Sequence, residues 1–234
     1  MTFVLVHGGG FAGSCWNELK PLLSGTVLAV DLPGRGRNPQ DLGSLTISDF
    51  VESVTNEIVA HDLTDVTLVG HSMAGLTLPG VAERIPDRLS HLVFVSCAVP
   101  PHGTRPRDVL GDLSPSVQEV AGKIGDEVVS QGGLHADLAR AMFCNDMDER
   151  TTESTLARRV PETLNVLSEP ADLTGLGHPI PRTYVRLTRD ASITLDAQNK
   201  IIANLGAVRV VDLDAGHMAM ISDPHGLAAI LNGF

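Results

Sequence analysis

The stretch Leu68 to Leu76, LVGHSMAGL, decides how this 234-residue chain is read. A β-branched apolar run, Val66 to Val69, enters Gly70-His71-Ser72-Met73-Ala74-Gly75, and a helical pattern follows from Met73 to Arg84. This reads as the G-x-S-x-G turn, with Ala74 in the place of its last glycine, set between a strand and a helix. So sharp a turn needs small residues two positions either side of the serine, and Gly70 and Ala74 stand there, with Gly75 following. The turn lifts the hydroxyl above the sheet edge and aims the helix N-terminus at it. Ser72 is therefore a candidate nucleophile.

A serine needs a base, and LDAGHMAMISDP, Leu213 to Pro224, supplies His217. Among nine histidines it is singled out by position: it follows an expected strand, Val208 to Leu213, and precedes an expected helix, Pro224 to Leu231. That is the sheet edge at which open α/β proteins hold their ligands. The acid to orient it is Asp190 in VRLTRDASI, just past the expected strand Thr183 to Leu187. Asp212 and Asp214 lie too near His217 along the chain to reach round, Asp196 falls inside the next helix, and the end of the fourth strand has Ser96 and Cys97 but no carboxylate. The plainer alternative is that Asp190 caps the helix starting near Ser192.

Outward from these motifs the chain has a βαβ rhythm. Six strands are expected, at Phe3 to Val6, Thr26 to Val30, Val66 to Val69, His91 to Ser96, Thr183 to Leu187 and Val208 to Leu213. Their continuous apolarity predicts a mainly parallel sheet buried on both faces. Helices are expected at Ser14 to Leu23, Thr46 to His61, Met73 to Arg84, Thr194 to Asn204 and Pro224 to Leu231. Between the fourth and fifth strands the rhythm stops. Residues 1–99 and 182–234 then read as one α/β core, and 100–181 as an inserted, mostly helical cap with short amphipathic helices at Ser116 to Lys123, His135 to Phe143 and Glu149 to Arg159.

Leu5 to Trp16, LVHGGGFAGSCW, has two incompatible readings. Gly8, Gly10 and Gly13 fit the G-x-G-x-x-G of a dinucleotide loop, with Asp31 near the place of a ribose-binding carboxylate. Alternatively, the backbone N–H groups of Gly9 and Met73 form an oxyanion hole across from the serine. The second reading prevails. The only tyrosine, Tyr184, has Thr188 rather than lysine four residues on, so the usual dehydrogenase partner is missing, and Asp31-Leu32-Pro33-Gly34 reads as a tight turn.

Composition narrows the classes. A formal charge of −11, with no dense Lys/Arg run, disfavours nucleic acid and anionic membrane surfaces. Cys15, Cys97 and Cys144 have no Cys-x-x-Cys spacing, so neither a disulfide framework nor a zinc site is suggested. Met1 runs straight into Phe3 to Val6 without the basic and apolar regions of a secretory signal, and no apolar run reaches membrane-spanning length. The expectation is a cytoplasmic protein with no metal and no cofactor.

These residues resemble the α/β-hydrolase superfamily, and within it the branch of plant methyl-ketone and methyl-salicylate esterases, polyneuridine aldehyde esterase and hydroxynitrile lyases. The likeness runs from FVLVHGGGFAGSCWNELKPLL through LVGHSMAGL to GHMAMISDP and is looser in the cap. It implies an α/β-hydrolase fold and a Ser72-His217-Asp190 triad that cleaves a small, fairly apolar ester through an acyl-enzyme. In that branch the lyases carry threonine after the first-loop histidine and lysine after the catalytic one, whereas here Gly8 and Met218 stand there, the esterase-like choice. A neutral thioether cannot stabilise departing cyanide as an ammonium can. The alternatives are a hydroxynitrile-lyase-like or other C–C lyase and a receptor that keeps the triad. Gly8, His71 and Met218 are carried as candidate substrate contacts, with Met73, Leu76 and Met220 as apolar neighbours. His71 is otherwise expected to pack behind the turn, and His7 to brace the first loop. Dimers occur among related proteins, so a homodimer stays open.

Overall fold

A computed structural model of the chain describes residues 1–109, 114–124, 129–130 and 133–234. Six strands form one sheet: β1 (Thr2–Val6), β2 (Thr26–Val30), β3 (Val66–His71), β4 (Leu89–Val95), and, after a two-stranded ladder of β5 (Val129–Ser130) with β6 (Gly133–Leu134), β7 (Arg182–Leu187) and β8 (Arg209–Leu213). The spatial order is β2-β1-β3-β4-β7-β8, and every neighbouring pair is parallel. Val6 lies opposite Val30 and Gly70, Val95 opposite Val185, and Leu187 opposite Leu213. The C-terminal ends of β3, β7 and β8 therefore share one edge.

Alternation along each strand divides the core in two. Phe3, Leu5, Val69, Val93 and Val185 pack on one face with Trp16, Leu19, Met220 and Leu227. Val4, Val6, Leu68, Leu92 and Tyr184 pack on the other with Phe50, Val54, Leu78 and Val81. Burial on both faces holds for the four central strands but not for β2 and β8, whose residues are mostly partly or fully exposed. Each is an edge strand with a single neighbour.

The longest helix, α1 (Ile47–Ala60), starts at a capping box in which Thr46 Oγ1 accepts from the Asp49 N–H and Asp49 accepts from the Thr46 N–H. Two expected helices are interrupted. Ser14 to Leu23 forms two 3₁₀ turns, Gly13–Trp16 and Lys20–Leu22, and Met73 to Arg84 divides into a 3₁₀ turn, Ser72–Leu76, and α2 (Leu78–Arg84). Pro21 and Pro79 are the cause, because neither has an N–H to continue an i−4 ladder.

After β4 come α3 (Pro106–Val109), α4 (Pro115–Ile124), α5 (Ala136–Phe143) and α6 (Glu149–Ala157), and after β7 come α7 (Leu195–Asn204), α8 (Ala219–Ser222) and α9 (Pro224–Leu231). The stretch between β4 and β7 does not stand apart from the sheet. Val166 and Ile180 are buried with Leu68 and Leu78, and Phe143 and Cys144 with Met218 and Ala219. Among the described residues no helix is long and apolar enough to cross a membrane.

Candidate active site

Ser72 directly follows β3 and opens the 3₁₀ turn with φ +53, a left-handed conformation unusual for a side-chain-bearing residue. Its motif glycines are required by contact. A Cβ at Gly70 would lie 2.5 Å from Leu78 Cδ1, and one at Gly75 would run into the Ala98 carbonyl and lie 2.9 Å from Cys97 Cβ. The Ser72 carbonyl is itself held by the Ala98 N–H at 2.9 Å. Backbone strain is thus locked in by close packing on both sides of the turn.

The three sequence-predicted side chains meet in one line. Ser72 Oγ is 3.0 Å from His217 Nε2, and His217 Nδ1 is 2.6 Å from Asp190 Oδ2. Asp190 also accepts from Ser96 Oγ at 2.6 Å and from the N–H groups of Ser192 and Ile193 at 2.7 and 2.8 Å. A carboxylate surrounded by donors is an acceptor only, so Nδ1 of His217 carries the proton and Nε2 presents its lone pair to the serine. Asp190 makes the contacts that each reading calls for. It caps its own turn through Oδ1 and holds His217 through Oδ2, while α7 is capped by Thr194 instead.

The imidazole of His217 is nearly inaccessible and lies between two rings, His71 at 4.6 Å between centroids and Phe143 at 5.6 Å. The loop carrying it is tied from below. His71 Nε2 donates to the His217 carbonyl at 2.8 Å, and the Gly216 N–H donates to buried Asp146 at 2.6 Å. Burial pushes the His71 pKa well below its ordinary value, so this ring stays neutral.

The first loop faces this line. His7 is fully buried, donates from Nδ1 to the Gly8 carbonyl at 2.8 Å and accepts the Leu32 N–H at Nε2, which braces the loop. Burial lowers its pKa to about 4. Asp31 accepts from the Gly13 and Arg37 N–H groups at 2.8 and 3.0 Å, joining the loop to the turn after β2. That is the structural role expected of it. Gly9 and Met73 sit on the same cavity wall as Ser72, and among the described residues the Gly9 N–H has no acceptor.

Above Ser72 opens a cavity of about 510 Å³. Its wall is mainly apolar, formed by Met73, Val99, Met142, Phe143, Leu167 and Ile193 among others. Gly8, His71 and Met218 stand behind that wall rather than on it. A Cβ at Gly8 would lie 2.8 Å from Ser72 Cβ, so its place is one of close approach to the nucleophile. Met218 is wholly buried in the core with Trp16 and Leu227, as is Met220, and Leu76 is buried and off the cavity wall. Of the methionines beside the motifs, Met73 reaches the cavity. The sequence reading did not select Phe143, Arg159 or Glu162, which line it from the stretch between β4 and β7. Only the amphipathic pattern of His135 to Phe143 hinted that an aromatic would be turned inward there.

With this geometry in view, comparison with known proteins is informative. The profile of the Alpha/beta hydrolase family matches residues 3–230, and the chain belongs to that family. It is an esterase-like member related to methylesterases. Methylesterase 9 of Arabidopsis thaliana is 28% identical over 96% of this chain and 94% of its own length. Polyneuridine aldehyde esterase of Rauvolfia serpentina is 27% identical over 98% and 93%. Among solved structures, an extracellular α/β-hydrolase from a Paenibacillus species superimposes with a TM-score of 0.83 at 25% identity, covering 99% of this chain and 97% of that one.

Proposed function

We propose that the protein is a serine carboxylesterase acting on small, fairly apolar esters. The observation that carries this reading is the continuous line Ser72–His217–Asp190, whose serine end opens into an apolar cavity. The relatives named methylesterase and polyneuridine aldehyde esterase support it. Residues 100–181 act as the cap, contributing Phe143, Val160 and Leu167 to the cavity wall and so setting which acyl and alcohol groups fit.

In the first half-reaction Ser72 Oγ attacks the ester carbonyl carbon as its proton passes to His217 Nε2. The electron pair displaced onto the carbonyl oxygen is received by the N–H groups of Gly9 and Met73. Asp190, already fixed by Ser96, Ser192 and Ile193, accepts the Nδ1–H of the imidazolium and holds the ring in line. His217 then protonates the leaving alkoxide and the alcohol departs. Water enters, gives its proton to His217 and attacks the acyl-enzyme, and collapse releases the acid with return of the proton to Ser72.

The test is hydrolysis of short p-nitrophenyl esters and aromatic methyl esters by wild type and Ser72→Ala. Turnover that falls by several orders of magnitude in the variant is the expected result. A wild type inert on every ester, or an equally active variant, would overturn the reading. Release of cyanide from cyanohydrins without ester turnover would assign the scaffold to lyase chemistry instead.

A further inference from the structure

Glu162 lies in the connection after α6 and reaches the glycine loop across 152 positions of sequence. Its Oε2 accepts from the Gly10 N–H at 2.8 Å, and its Oε1 accepts from the Thr163 N–H at 2.7 Å and pairs with the Arg35 guanidinium. Two residues earlier, the Val160 N–H donates to the Gly10 carbonyl at 2.9 Å. Both backbone polar groups of Gly10 are thus held by residues 160 and 162. Gly10 has φ +72, and Glu162 Oε2 lies 3.2 Å from where a Cβ of Gly9 would be.

Arg35 is buried away from solvent, with its Nη1 on the Pro33 carbonyl at 2.8 Å and its guanidinium 4.9 Å from the centre of the Phe50 ring. A buried guanidinium and a mostly buried carboxylate are each costly alone, so each depends on the other. Position makes this pair more than scaffolding. The Gly9–Gly10 peptide that Glu162 grips adjoins the peptide unit carrying the Gly9 N–H, and Gly9 lines the cavity. An uncompensated carboxylate there would also oppose a negative charge developing beside Ser72.

We propose that Glu162 is a second positioning residue of the oxyanion loop, holding Gly10 on one side of the Gly9 N–H as His7 holds the Gly8 carbonyl on the other, and that Arg35 is the counter-charge that lets a carboxylate stand beside the oxyanion. This rests on the esterase reading above, in which Gly9 donates to the oxyanion.

The experiment compares wild type with Glu162→Leu, Glu162→Gln, Arg35→Met and the double variant Glu162→Gln/Arg35→Met. Two measurements are made: kcat and KM on p-nitrophenyl acetate, and affinity for an aryl trifluoromethyl ketone against its methyl ketone. The trifluoromethyl ketone forms a tetrahedral oxyanion on Ser72, and the methyl ketone serves as the ground-state probe. Glu162→Leu should lose kcat and trifluoromethyl ketone affinity together, by roughly 10- to 100-fold, with KM and methyl ketone affinity changed by no more than about threefold. Glu162→Gln, which retains an acceptor for Gly10, should lose less. Arg35→Met alone should be worse than the double variant, because it leaves the carboxylate unpaired.

A folded Glu162→Leu protein with kcat and trifluoromethyl ketone affinity within about twofold of wild type would overturn the proposal while leaving the esterase reading intact. Should Glu162→Leu not fold, the Arg35→Met comparison decides, and no recovery in the double variant overturns it. If wild type cleaves no ester, the esterase reading fails separately. Amide hydrogen exchange at Gly10 then tests the grip itself, with exchange at least about tenfold faster in Glu162→Leu than in wild type expected and unchanged exchange refuting it.

Discussion

Ser96 Oγ donates to Asp190 Oδ2 at 2.6 Å, and that oxygen is the one that receives His217 Nδ1. Ser96 is wholly buried at the end of β4 with φ +39, a conformation that disfavours any residue with a Cβ. The strand end that has no carboxylate of its own thus supports the one supplied by the next strand.

Ser96→Ala should therefore lower kcat/KM about tenfold and stability by about 1–3 kcal/mol, since one donor to a buried carboxylate is lost while its other partners remain. Asp190→Asn is far more severe, about 10⁴-fold in kcat, because an amide can donate to His217 and turn its tautomer. Steady-state kinetics with urea unfolding of both variants checks this. Equal losses in the two variants would show that Ser96 does more than hold Asp190.

Gly75→Ala places a methyl group against the Ala98 carbonyl and 2.9 Å from Cys97 Cβ, within backbone that also fixes the Ser72 carbonyl. Loss of soluble folded protein, or a destabilisation above about 3 kcal/mol, is expected. A thermal melt like that of wild type would mean the turn can widen.

Asp146→Ala removes the acceptor for the Gly216 N–H, one residue before His217, without touching the cavity wall. The base should then wander, so kcat should fall about tenfold or more with little change in KM. If KM alone rises, Asp146 governs the cavity and not the base.

Stability should fall on acidification below neutrality. His7 titrates at about 4 in the folded chain and near its ordinary 6.5 when unfolded, because burial disfavours its cation. Between those values the unfolded chain binds the extra proton, so stability rises with pH across that window and is lost as pH falls from 6.5 toward 4. The contribution of His7 is about 3 kcal/mol. His71 shifts the same way, also through burial. Urea unfolding at pH 7 and 4.5 measures it, and a flat profile would contradict the burial of either ring.

The strands, the nucleophile turn and the two residues after β7 and β8 were legible because each is a local pattern. Apolar runs end at glycine, small residues flank a serine, and a histidine or an aspartate follows a strand. Where local pattern misled, a missing N–H or a turn of the backbone was responsible. Pro21 and Pro79 lack the N–H that a continuous helix requires, and Met218, adjacent to His217 in sequence, is turned into the core by the start of α8.

The chain alone therefore determined the α/β order and which serine, histidine and aspartate share an edge, since parallel strands deliver their C-terminal ends to one side. Tertiary structure alone decided the cavity. Phe143 against His217, Asp146 under Gly216 and Glu162 on Gly10 are contacts between residues about 70 to 150 positions apart, formed by a stretch whose own periodicity says nothing of what it will face. Such contacts follow from how that stretch packs on the sheet, which no local spacing encodes.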